Sequence, residues 1–207
     1  MITGFRWDLK GAQNMYNLDP DISNFGKAMA NGFSVSAVCG KKKFMELGSI
    51  EKKGRKRLFL LSSTHGAEMN SLAAMNATMS EVKKKKIINK IWKYGYNLKR
   101  AFNDISEKNN LKKFLYMDGV ACSPYYITKN IHCENCFEMR TVFQHLMIKE
   151  KIFMPWVSLS AAHNENIFKK TIKALEKVMP IYKKALNGNI KKYIHGNIIK
   201  PVFREYN

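Results

Sequence analysis

Between residues 88 and 105 the apolar or small positions are Ile88, Ile91, Gly95, Leu98, Phe102 and Ile105. A spacing of three and four gathers them on one face of an α-helix, with the intervening lysines on the other. Such a stripe has to be covered by another layer, so the rest of the chain must supply a packing surface. A second pattern, Ile167, Thr171, Leu175, Val178 and Tyr182, predicts another helix, N-capped by Asn164 and ended by Asn187-Gly188. Asn109-Asn110 breaks the first helix, and short strands are predicted from Phe114 to Thr128, with a turn at Ser123-Pro124. Met139 to Lys149 reads as a helix, and Ile152 to Ser160 as a loop and strand. Upstream, Asp19-Pro20-Asp21 and Asn31-Gly32 are turn signals, and the alternation over Phe33–Val38 predicts a strand that Gly40 closes. Lys41 to Leu47 reads as a short helix, Leu58-Phe59-Leu60-Leu61 as a buried strand, and a long helix starts near Glu68. Strands alternating with helices predict an α/β architecture. The tail from Ile190 shows no periodicity and is expected to lie along the surface.

The chain has 207 residues, a hydrophobic fraction of 45% and a formal charge of +20. That hydrophobic fraction excludes wholesale disorder, and no apolar run reaches the roughly 18 residues of a membrane span. The N-terminus reads as neither a signal peptide nor a transit sequence, so a cytoplasmic location with reduced cysteines is expected. The charge invites a nucleic-acid reading. Only Arg6, Arg55, Arg57, Arg100, Arg140 and Arg204 among the 36 basic residues are arginines, and no recognition module is visible. The runs Lys41–Lys43 and Lys83–Lys86 are read as solvated faces. A rival constellation is His132-Cys133-Glu134-Asn135-Cys136, whose Cys-x2-Cys is half of a tetrahedral zinc site that Cys122 and His132 would have to complete. The alternative function is therefore a Lys-rich basic binding module with a zinc site. The same cysteine pair also fits a redox-active or simply buried role.

Two segments carry chemistry. Lys27 follows Gly26 and is flanked by Phe25, Ala28, Met29 and Ala30. Desolvation in such a setting lowers an amine's pKa and makes it a nucleophile toward an aldehyde, and small neighbours leave room for a flat cofactor. The second segment is Ser62-Ser63-Thr64-His65-Gly66, a hydroxyl-rich loop between the apolar strand and the helix, where an anion could sit. His65 and His163 are read as hydrogen-bonded structural residues.

Ile2-Thr3-Gly4-Phe5-Arg6, the stretch from Pro20 to Gly32, and Ser36-Ala37-Val38-Cys39-Gly40 together resemble the class III aminotransferases. These enzymes depend on pyridoxal 5'-phosphate, and the group includes glutamate-1-semialdehyde 2,1-aminomutase. The resemblance implies that Lys27, the lysine of a Phe-Gly-Lys-Ala-type motif, holds the cofactor as a Schiff base. It also implies that Thr64, in a Thr-x-Gly-Gly-Glu-type segment, binds the cofactor phosphate of the neighbouring subunit in a homodimer. The implied fold is part of fold type I, α/β with the remaining part of a mixed, mostly parallel sheet flanked by helices and a smaller C-terminal α+β domain: residues 1–108 as the C-terminal part of the cofactor-binding large domain, and 109–207 as the small domain and tail. The implied partners are a small-molecule amino donor and a carbonyl acceptor, with no nucleic acid, membrane or metal.

Two departures qualify the resemblance. In the family an aspartate that pairs with the pyridine nitrogen precedes Thr-Gly-Phe-Arg, and here that position would fall before Met1. The expectation is therefore a C-terminal half, N-terminally truncated, in which carbanion stabilisation is impaired and apolar faces are left uncovered. The aminomutases also carry a glutamate after the Pro-Ser of their C-terminal domain. This chain runs from Pro155 through Trp156-Val157-Ser158 to His163 without one, which favours aminotransfer.

Overall fold

The computed structural model of the chain describes residues 5–51, 53, 54, 56 and 66–201. They fall into two compact units that divide between Lys90 and Ile91.

In the first unit, α1 (Ala12–Met15) precedes β1 (Ile22–Phe25), which pairs antiparallel with β2 (Ala37–Gly40). The register sets Ile22 opposite Gly40 and Phe25 opposite Ala37. The strand is shorter than the Phe33–Val38 alternation predicts. Its partner ends at Phe25, where the chain leaves the ladder for a 3-10 turn at Lys27–Met29, so residues before Ala37 have nothing to pair with. The short helix α2 (Lys42–Met45) and a 3-10 turn (Glu46–Gly48) follow, as Lys41–Leu47 suggested. Helix α3 (Met69–Lys84) begins where the pattern at Glu68 placed it and packs against the Lys27–Met29 turn. The apolar run Leu58–Leu61 lies outside the described residues.

Helix α4 (Ile87–Lys108) contains the break between the units. From Ile91 onward its buried face is Ile91, Gly95, Leu98, Phe102 and Ile105, as the spacing predicted, joined by Ser106. This face lies in the second unit, whereas the sequence reading sets the family's two domains apart at 108/109. The second unit continues with the antiparallel pair β3 (Leu115–Asp118) and β4 (Tyr125–Thr128), then α5 (Phe137–Lys149) and α6 (Glu165–Asn187). No strand forms over 152–160, and both described ladders are antiparallel. The mostly parallel sheet expected from the sequence is not found among the described residues.

Packing in this unit centres on aromatic rings. Phe143 of α5 meets Phe102 of α4 at 5.9 Å, Tyr126 of β4 at 4.9 Å and Tyr182 of α6 at 6.3 Å between centroids. Such pairs each add about 0.5–1.5 kcal/mol beyond the burial of their area. Asn103 ties α4 to β3 by both amide groups, donating to the Met117 carbonyl at 3.0 Å and accepting from its N–H at 2.8 Å. Pro180 lies inside α6 although an interior proline costs roughly 3 kcal/mol. Burial of Leu175, Val178, Met179 and Tyr182 around it offsets that cost.

Gly95 is required by a close approach. A Cβ there would lie 1.7 Å from the Ala121 carbonyl oxygen and 2.7 Å from Leu159 Cδ1. Gly95→Ala is therefore expected to destabilise the protein by about 3 kcal/mol, read as a lowered urea midpoint by circular dichroism. Asn97→Ala, on the exposed side of the same helix, should stay within about 0.5 kcal/mol of wild type.

Candidate active site at the β1–β2 turn

The β1–β2 ladder is closed at its base by charge. Lys41 Nζ lies 2.9 Å from Asp19 and 3.1 Å from Asp21, and the Lys41 N–H donates to the Asp21 carbonyl at 3.0 Å. Hydrogen bonds to Asp19 and then Asp21 raise the Lys41 pKa. Asp19-Pro20-Asp21 is thus both the turn that starts β1 and the clamp that fixes the residue after β2.

At the other end, β1 runs into buried Gly26 and then Lys27. The Met29 N–H donates to the Gly26 carbonyl at 3.1 Å, and the Phe33 N–H to the Ala30 carbonyl at 3.4 Å. Met29 and Ala30 are buried, at 4% and 2% exposure, and hold the turn to the body of the unit. Lys27 takes a positive φ of 51°, a left-handed conformation that costs a non-glycine residue about 1–2 kcal/mol.

The side chain of Lys27 is exposed. The enclosed, partly apolar environment expected around it is not formed by the described residues, because Met29 and Ala30 turn inward while Lys27 points out. Among the described residues no carboxylate pairs with its ammonium group. Lys41 is thus neutralised by two carboxylates, whereas Lys27 has no ion-pair partner among the described residues. Thr64 and His65 lie outside the described residues, so the structure does not bring Thr64 to Lys27. The helix that follows them, α3, does pack on the Lys27 turn.

The Cys-x2-Cys segment is built as a loop and a helix cap. Asn130 Oδ1 accepts from the His132 and Glu134 N–H groups at 2.9 and 3.0 Å, and the Cys136 N–H donates to the Thr128 carbonyl at 3.0 Å. Cys136 is the N-cap of α5, its Sγ accepting from the Met139 N–H at 3.4 Å. Cys133 is exposed, Cys122 is fully buried, and among the described residues no three His, Cys, Asp or Glu side chains could hold a metal ion. The zinc reading is not supported. His163 takes a structural part: its Nδ1 accepts from the Ser160 N–H at 3.1 Å, just before Asn164 caps α6.

One cluster was not legible in the sequence. The Pro155 carbonyl accepts from Arg140 Nη2 at 2.8 Å, Tyr126 Oη at 3.0 Å and Gln144 Nε2 at 3.2 Å. The Arg140 guanidinium also lies 4.5 Å from the Tyr126 ring centroid. These residues are far apart along the chain, and no local pattern links them.

The fold recurs in transaminases. It matches the FumI protein of Sphingopyxis sp. MTA144, in its PLP internal aldimine form, with a TM-score of 0.75 at 20% identity over 89% of this chain and 42% of that one. An omega-transaminase from Sphaerobacter thermophilus matches with a TM-score of 0.72 at 15% identity, over 86% and 42%. Among curated proteins, a 3-aminobutyryl-CoA aminotransferase of Cloacimonas acidaminovorans is 26% identical over 89% of this chain and 43% of its own length. A glutamate-1-semialdehyde 2,1-aminomutase of Saccharolobus islandicus is 28% identical over 86% and 42%. The architecture is thus that of part of a fold type I transferase. Because residues 3–138 match the class-III aminotransferase family, the chain belongs to that family. It spans less than half the length of the curated relatives it matches.

Burial raises the pKa of the Cys136 thiol, against the Met139 N–H that stabilises its anion. A raised pKa means less thiolate at a given pH. Iodoacetamide at pH about 8 should therefore label Cys133 and Cys39 before Cys136, with Cys122 reacting only on unfolding, as followed by peptide mass spectrometry. Cys136→Ala should cost about 1 kcal/mol through loss of the cap.

Proposed function

We propose that the chain carries the lysine turn and phosphate loop of a pyridoxal-phosphate-dependent class III aminotransferase, glutamate-1-semialdehyde 2,1-aminomutase-like, with Lys27 and Thr64 as its cofactor-binding residues. The observation that carries this reading is the family match over residues 3–138, within which Lys27 stands on a turn anchored by buried Met29 and Ala30. Residues 1–108 take the part of the large domain, and 109–207 that of the small domain and tail. The rest of the pocket, and with it the choice of amino donor and carbonyl acceptor, lies in the portion of the relatives that this chain does not span. Without the glutamate after Pro155, the reading favours aminotransfer over the intramolecular exchange of an aminomutase. The location proposed is cytoplasmic, and no described helix is long and apolar enough to cross a membrane.

Lys27 Nζ would hold the cofactor as a Schiff base to its aldehyde carbon, and Thr64 Oγ1 would donate to its phosphate across a homodimer interface. When bound, the cofactor supplies an electron sink for the pair left on the substrate α-carbon. Released from the cofactor by the substrate's amine, the Lys27 amine would be the group that takes the proton from that α-carbon and delivers it to the cofactor's C4′, as base and then acid. The turn keeps this movement short: the backbone is fixed by buried Met29 and Ala30, so only the lysine side chain has to move. Uncovered apolar surface supports association. Ile22 and Val38 share one face of the β1–β2 ladder and are 51% and 55% exposed.

Borohydride reduction after addition of pyridoxal phosphate is expected to label Lys27 on peptide mapping. The absorbance band at the visible edge should disappear in Lys27→Ala and persist in Lys41→Ala. Labelling that is unchanged in Lys27→Ala would overturn the assignment. Light scattering should show concentration-dependent association that Val38→Glu weakens, and a monodisperse monomer at high concentration would contradict the dimer.

A further inference from the structure

Beyond α6 the chain makes a 3-10 turn (Ile190–Tyr193) that packs on both α5 and α6, with Asn189 Oδ1 accepting from the Lys191 N–H at 3.1 Å. The residues that follow lie along α5. The His195 ring stacks on His145, with centroids 6.4 Å and planes 21° apart. The Ile199 N–H donates to Thr141 Oγ1 at 3.0 Å, one turn nearer the start of the helix, so the tail runs antiparallel to α5. Thr141 is fully buried, and its hydroxyl donates to the Phe137 carbonyl at 2.8 Å. The hold is light. Residues 195–198 are exposed, and among the described residues the Ile199 N–H is the one backbone group of this stretch that bonds to α5.

The weak point of the contact is His145. Its Nδ1 is buried and has no hydrogen-bond partner among the described residues. In the neutral ring with its proton on Nε2, that nitrogen is a bare lone pair; in the charged ring both nitrogens are donors. An unsatisfied donor on a buried charged group costs more than an unsatisfied neutral acceptor. A proton on His195 as well would set two positive rings face to face. The surroundings offer little compensation. On the same face of α5 stand Glu138, two turns earlier and accepting from the Cys136 thiol at 3.3 Å, and Lys149, one turn later. Lys191, Lys192 and Lys200 flank His195 along the tail, and Lys183 and Lys184 stand near the end of α6. Neither imidazole has a carboxylate within ion-pair distance among the described residues.

We propose that residues 194–200 form a pH-gated strap, closed along α5 while His145 and His195 are neutral and released when the pair takes up protons. The strap is therefore held above the imidazole range and lost as the pH falls through it. The 3-10 turn keeps its own anchors, so the chain opens beyond Tyr193. Release uncovers the Thr141–His145 face of α5, the helix that also carries Arg140 and Gln144.

The test is amide hydrogen exchange followed by NMR on the whole chain at pH about 7.5 and about 5.5, with rates corrected for the intrinsic pH dependence of exchange. The protection of the Ile199 amide is expected to fall about tenfold at the lower pH, while that of Phe143 in the core of α5 stays unchanged, which separates strap release from unfolding. His195→Phe, at an exposed position, keeps a flat ring that takes no proton and should shrink the fall, and His145→Phe should remove it. The wild-type comparison needs no variant and does not depend on cofactor binding at Lys27. Protection of Ile199 that is the same at both pH values, or absent at both, would overturn the proposal. So would a fall of undiminished size in the two phenylalanine variants.

Discussion

Phe143 holds the C-terminal unit together. A ring from α4, one from β4 and one from α6 each pack against it, so three elements distant in sequence share one hydrophobic contact point. The close approach at Gly95 and the two-sided grip of Asn103 on Met117 follow from the same arrangement. Once the rings are in place, α4 lies near enough to the 121 loop that a methyl group would not fit between them. Tyr182 is fully buried, and burial raises the pKa of its phenol well above the ordinary tyrosine range, so it packs as a neutral hydroxyl.

The N-terminal unit works on a different principle. It buries few large side chains, and its ladder is short, so the geometry around Lys27 depends on tethers at both ends. Asp19 and Asp21 fix Lys41 at one end, and buried Met29 and Ala30 fix the turn at the other. Lys41 spends its charge on structure, whereas Lys27 has no ion-pair partner among the described residues.

Much of the helical content could be read directly. The three-four spacing located α4 and α6, Asn164 was recognisable as a cap, and Glu68 marked the start of α3. Those features are local, because they depend on residues within one or two turns. The strand that alternates from Phe33 is shorter than its pattern, because alternation reports only a capacity for pairing and β1 reaches no further than Ala37, and over 152–160 no strand forms. The cysteine pair was ambiguous for a related reason: a spacing of two suits a metal, a redox centre or a cap, and only the position of the Met139 N–H distinguishes them. Periodicity shows that α4 is amphipathic, but it does not say which neighbours cover its face.

The sequence by itself determined the family, the lysine that the family motif singles out, and the helices, since each of these is written in residues close together along the chain. Tertiary structure decided that Lys41 is held by two carboxylates, which cysteine caps a helix, and how Tyr126, Arg140 and Gln144 converge on one carbonyl. The physical reason is that electrostatic pairing, burial and hydrogen-bond convergence depend on distances in space. Those distances exist only after the chain has brought remote residues together.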